Sequence, residues 1–205
     1  MPRKSYSIEE RQRVKEALMN TVIQCIVDRG LIHSSIAVLC KKVGISKTFF
    51  YSFFSSKEEL VLEALRYQQP KLLQYVRQLM ADSSLSWREG VKTFLETCIY
   101  GEKKGIAVLS IEEEQEVYHC LSPENFQTFR EDQTKLFCDL LSVFKLPVNS
   151  IDPRLFGNIA LSMIMVYKAI PDTMPFLFSE VAEDMVEFQV NALIDAMERF
   201  KEKTR

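Results

Sequence analysis

The chain has 205 residues, 47% of them hydrophobic and 26% charged, with 26 Lys and Arg against 28 Asp and Glu for a net charge of −2. That is an ordinary globular composition, which excludes a disordered chain and a uniformly basic nucleic-acid coat. Six glycines and seven prolines disfavour loop-rich β architecture, and the charge is uneven, with residues 1–60 at +4 and residues 61–205 at −6.

Helical signals run along the chain. Ser7 and Glu10 fit a capping box, and Val14, Leu18, Val22, Cys25 and Ile26 recur at helical spacing, so a first helix is expected over about 8–29 with Gly30 as its stop. Ile36, Leu39, Cys40 and Val43 make one apolar stripe over two turns. Gly44 ends that helix, and Ser46 caps another through about Phe54. Two short helices joined by Val43-Gly44-Ile45-Ser46 form a tight helix–turn–helix. Ser56 and Glu59 open a long helix through Leu79, in which Pro70 should cause a kink or a split. Ser86 with Glu89 caps a helix over 87–101, and Gly101 and Gly105 bracket a break. Glu112, Glu113, Glu114 and Glu116 are expected on a solvated helix face. Ser122-Pro123 and Asp152-Pro153 start helices near 123–145 and 153–169. Pro171 and Pro175 precede a last helix near 177–201. The expected fold is all-α, with about nine helices, no alternating strand pattern and no internal repeat.

Function-bearing residues concentrate in 34–60. On the helix that starts at Ser46, Phe50 and Phe54 share an inward face with Phe53 beside them. Thr48 and Ser52 lie on the other side, flanked by Phe49 and Tyr51, and Lys47 sits at the first turn. A helix end with those donors and acceptors suits a DNA major groove, which admits one helix. Ser35 and Lys57 stand where neighbouring helix N-termini can hold phosphates.

This region resembles the TetR family of bacterial transcriptional regulators over roughly residues 8–65. The similarity rests on the first helix ending at Gly30, then Ser35-Ile36, Val43-Gly44-Ile45-Ser46-Lys47, Phe50-Tyr51, Phe54, and Ser56-Lys57-Glu58-Glu59-Leu60. The resemblance implies a three-helix DNA-binding domain over 1–56 and a helical ligand-binding and dimerisation domain over 57–205. By position it implies DNA contacts from Ser35, Ser46, Lys47, Thr48, Phe49, Tyr51, Ser52 and Lys57. Phe49 stands where the family usually has a small residue, and Phe53 where it often has His or Tyr; Phe49 can press on thymine methyls or serve as packing.

In the body, Tyr67, Phe94, Cys98, Tyr118, Phe126, Phe137, Met163 and Tyr167 are candidates for an apolar ligand cavity. Leu155, Ile159, Met163, Val166 and Ile170 form a stripe. Val181, Met185, Phe188, Ala192 and Met197 form a second, less regular one. Two copies could pair these stripes as a four-helix bundle. The expected partners are therefore double-stranded DNA, an unidentified small effector and a second copy of the chain.

The five cysteines, an odd number without C-x-x-C spacing, read as reduced thiols. With a polar N-terminus and a longest uncharged apolar-rich stretch of 13 residues in the C-terminal half, this points to a cytoplasmic protein without a membrane span. No nucleophile motif, P-loop or G-x-G-x-x-G occurs, so neither an enzyme nor a cofactor is expected. Cys98, Cys120, Cys138, His119 and the glutamates lack recognised metal-ligand spacing, so no metal is expected either. His33 is expected on the surface. The reading is a ligand-released repressor acting as a homodimer on a palindromic operator. The alternatives are a helical protein-interaction module with a degenerate head, or an activator of the same fold.

Overall fold

The computed structural model describes residues 6–100, 106–147, 149–169 and 178–202, so Gly101, Gly105, Ile170, Pro171 and Pro175 lie outside the described residues. Among the described residues there are nine α-helices and no strand. They are α1 (Ile8–Arg29), α2 (Ile36–Val43), α3 (Lys47–Phe50), α4 (Lys57–Ala81), α5 (Trp87–Ile99), α6 (Ile111–His119), α7 (Pro123–Val143), α8 (Pro153–Ala169) and α9 (Ala182–Glu202). Short 3-10 turns cover Leu31–His33 and Ser179–Val181.

Capping side chains mark the helix starts. Ser7 accepts from the Glu10 N–H at 3.1 Å while its own N–H donates to the Glu10 carboxylate at 2.8 Å. Ser86 and Glu89 make the same reciprocal pair. Ser35, Ser46 and Ser56 each accept the N–H three residues on, which satisfies one of the donors that every helix start leaves free.

Two expectations need correction. Pro70 does not split the long helix, which runs unbroken from Lys57 to Ala81. The recognition segment is shorter than expected: α3 ends at Phe50, and Tyr51–Phe53 form a turn in which the Ser52 N–H bonds to the Phe49 carbonyl and the Phe53 N–H to the Phe50 carbonyl. Those three-residue spacings tighten the chain into 3-10 geometry and deliver Phe54 to the core.

The buried side chains form two cores. The first joins Leu18, Val22 and Ile26 of α1, Leu39 of α2, and Phe50 and Phe54 to Leu60, Val61 and Ala64 of α4. It continues into the rest of the chain through Ala107, Leu109, Val117 and Phe129. The second joins Val76 of α4, Val91, Phe94 and Leu95 of α5, and Leu140 and Phe144 of α7 to Phe156, Met163 and Ile164 of α8 and Val190, Ile194 and Met197 of α9. Helix α4 runs through both. Ion pairs brace the second: Arg88 of α5 reaches Asp195 at 2.6 Å and Glu198 at 2.9 Å, and Lys92 reaches Glu187 at 3.0 Å.

Met163 was expected on a dimer face but is 2% exposed in the second core, and Met197, from the second stripe, is fully buried there. The inward stripe of α9 is Val186, Val190, Leu193, Ile194 and Met197. Its outward face keeps Phe188 at 74% exposure, and Leu155 on α8 is 54% exposed. No helix among the described residues is long and apolar enough to cross a membrane.

Candidate functional site

The turn between α2 and α3 places the candidate DNA-contacting side chains. Gly44 ends α2 in the left-handed conformation, φ 76° and ψ 34°, which residues with a Cβ seldom adopt. With Phe50 and Phe54 held in the core, Ser46, Lys47, Thr48, Tyr51 and Ser52 all lie exposed on one side, and Ser35 is exposed at the start of α2. Ser52 Oγ donates to the Phe49 carbonyl at 2.7 Å and accepts from Arg11 Nη2 at 3.4 Å, so its proton is committed locally.

Phe49 is half-buried and not free. Its ring stacks on Tyr6 at 4.3 Å and meets Phe53 edge-on at 4.9 Å. The Arg11 guanidinium lies 4.6 Å from the Phe53 ring and 5.6 Å from that of Phe49, and its Nη2 donates to the Ser52 carbonyl at 3.1 Å. This cluster pins the start of α1 to the recognition turn, and cation–π attraction adds to the ring contacts. Sequence reading missed Arg11, because a contact across 41 residues leaves no local pattern. Lys57 is also engaged: its ammonium sits 3.5 Å from Glu116, and its side chain is 16% exposed.

The acidic run is not a solvated face. Glu112 and Glu116 are exposed, but Glu113 is buried and Glu114 half-buried. One carboxylate oxygen of Glu113 accepts from the Leu31 N–H, and the other accepts from the Ser110 N–H at 2.8 Å. The Ser110–Glu113 spacing is itself a capping box, and that was the available signal. Helix α6 therefore touches the α1–α2 region through Glu113 and the start of α4 through Glu116.

Its other face borders a cavity of about 150 Å³ lined by α4, α5, α7, α8 and residues 106–109. Of the eight candidate residues, Phe94, Cys98, Tyr118, Phe137 and Met163 line it. Tyr67, Phe126 and Tyr167 do not. Tyr67 packs beside the first core, Phe126 is 36% exposed against Tyr118, and Tyr167 meets Tyr100 edge-on at 4.8 Å. Helical spacing identified all eight as apolar without fixing which way each ring points.

The walls are mostly aliphatic and aromatic, with Gln68, Gln69, Gln133, Glu114 and Tyr118 as polar exceptions; sequence reading left the three glutamines unassigned and placed Glu114 on a solvated face. Burial pushes the Glu114 carboxyl above its ordinary value, against a hydrogen bond from Tyr118 that favours ionisation. Burial, with the Glu114 charge beside it, also pushes the Tyr118 hydroxyl up. The Cys98 thiol, packed round by protein, is pushed up to about 12. Among the described residues no group of His, Cys, Asp and Glu could hold a metal ion.

No family model matches the chain. Over 95 residues it is 34% identical to the HTH-type transcriptional regulator EthR of Mycobacterium tuberculosis, a stretch that takes in 44% of this chain and 43% of that protein. The match thus spans less than half the length of that curated relative. Among solved structures, a TetR-family transcriptional regulator from Pectobacterium atrosepticum superposes with a TM-score of 0.57 at 14% identity, covering 95% of this chain and 97% of that one. A TetR transcriptional regulator from Legionella pneumophila superposes with a TM-score of 0.54 at 15% identity, covering 94% and 97%. By its all-helical fold over nearly the whole chain and by its sequence over part of it, the protein resembles the TetR family of transcriptional regulators.

Proposed function

We propose that this chain is a cytoplasmic transcriptional repressor, a binding protein and not an enzyme, that holds a palindromic operator as a homodimer and lets go when a small effector fills its cavity. The observation that carries this reading is the α2–α3 turn, where Phe50 and Phe54 anchor a surface on which Lys47, Thr48, Tyr51 and Ser52 stand together and exposed. In this reading residues 1–56 are the DNA-binding head and 57–205 the ligand-binding and dimerisation body. The recognition turn reads base edges, while Ser35, Ser46, Lys57 and Arg11 hold the strand backbone and Phe49 stiffens the turn.

The outward faces of α8 and α9, with Val181 in the turn before α9, support the dimer. Leu155, Ile159, Val166, Val181, Met185, Phe188 and Ala192 remain exposed or half-exposed in the single chain. Paired with the same face of a second copy they would bury as a four-helix bundle. Helix α6 supports release, since Glu114 and Tyr118 border the cavity while Glu113 and Glu116 bond to Leu31 and Lys57. An effector that favours one position of α6 shifts the heads by no more than its differential affinity for the two states.

The test is selection from a randomised duplex DNA pool by the purified protein at two salt concentrations. Enrichment of one palindrome, with affinity falling as salt rises, is the expected result. No enrichment at either concentration would overturn the reading of the head.

A further inference from the structure

We propose that the cavity selects a small lipophilic cation: an amine whose ammonium is received by Glu114. This deepens the effector-site reading above and rests on it.

Charge decides the sign of the ligand. Among the described residues Glu114 is the one wall residue that can carry a full charge near neutrality, since no Lys, Arg or His among them lines the cavity. Among the described residues no cation pairs with it; its partner is the neutral Tyr118 hydroxyl. A carboxylate withdrawn from water without a counter-charge is unfavourable, and a bound ammonium removes that penalty where the local dielectric makes attraction strong. An anion would meet Glu114 with no cationic wall residue among those described to offset it. Tyr118, Phe129 and Phe137 add ring faces to the same walls, which further favours a cation.

A second polar group is unmatched. Gln68 is satisfied twice, donating to the Ala107 carbonyl at 2.9 Å and accepting from the Ala107 N–H at 3.2 Å. Its neighbour Gln69 also lines the cavity, but its Nε2 is buried without a hydrogen-bond partner. The volume of about 150 Å³ is of the order that accommodates a single benzene ring. One ring with a short polar arm fits these limits.

Three probes of one shape test this on the full-length protein by calorimetry and by shift of the melting temperature: phenoxyethylamine, its neutral analogue propoxybenzene, and the anion phenoxyacetate. The amine is expected to bind at least about tenfold more tightly than either of the others. Glu114→Gln should abolish that preference and leave propoxybenzene within about twofold of its original affinity. The three-probe comparison on the unaltered protein decides the sign of the ligand without any variant. Propoxybenzene binding as tightly as the amine, or an amine affinity unmoved by Glu114→Gln, overturns the cation proposal and leaves the cavity standing as a ligand site. If no probe binds or shifts the melting temperature, the cavity itself is lost as a site and this proposal with it.

Discussion

A Cβ built on Gly30 would lie 2.8 Å from Glu113 Oε1, and the backbone there has φ +77°. Two penalties therefore meet at one residue: a conformation L side chains rarely adopt, and an intrusion on a carboxylate that is itself buried. Gly30→Ala is expected to destabilise by about 1–3 kcal/mol, read as a lower urea midpoint. Glu113→Ala leaves the Leu31 and Ser110 N–H groups without their acceptor, at about 1–3 kcal/mol for each group that water cannot reach. The cysteines separate on the same physical grounds. Cys120 and Cys138 are exposed, Cys25 and Cys40 are buried, and Cys98 is held as a thiol by its surroundings. Brief iodoacetamide treatment at about pH 8 should label Cys120 and Cys138 and spare the other three, as read by peptide mass spectrometry; labelling of Cys98 at a comparable rate would contradict its packing.

At the scale of elements, capping and apolar spacing were legible where the interactions are local. Ser7, Ser46, Ser56 and Ser86 start helices at the positions their side chains indicate, because a cap and its N–H lie three residues apart. What could not be read was long-range. Four glutamates in five residues look alike, yet Glu113 faces Leu31, 82 residues away, and Glu116 faces Lys57, 59 residues away. The cavity was legible only in part for the same reason: an inward ring on a helix becomes core or cavity wall according to a neighbour that local spacing does not name. The α9 face gives a direct prediction. Phe188 is almost bare in the single chain while Val190, Ile194 and Met197 hold the helix in place. Phe188→Glu should shift a dimer towards monomer in sedimentation without changing the helical circular dichroism signal. Met197→Ala should instead lower stability by about 2–5 kcal/mol, because it empties a fully buried position.

Across the whole molecule, the charge division seen in the sequence has a physical counterpart in the recognition face, where Lys47 is exposed and Arg11 lies beside Ser52. If Lys57 holds a phosphate, it must leave Glu116 to do so. Lys57→Ala should then weaken binding to all DNA sequences alike and flatten the dependence on salt, whereas Thr48→Ala should change which sequence is preferred. Competition titrations at several salt concentrations separate the two outcomes, and the reverse pattern would exchange the two roles. The first core, finally, does not end where the recognition motif ends: Leu60, Val61 and Ala64 close it from α4, and Ala107, Leu109, Val117 and Phe129 reach it from further along. Exchange of heads between related regulators is governed by that shared packing. A chimaera spliced at residue 56 inherits a foreign floor beneath Phe50 and Phe54, whereas one spliced beyond Ala64, with residues 107–129 matched to the donor, transplants the head together with the surface it stands on.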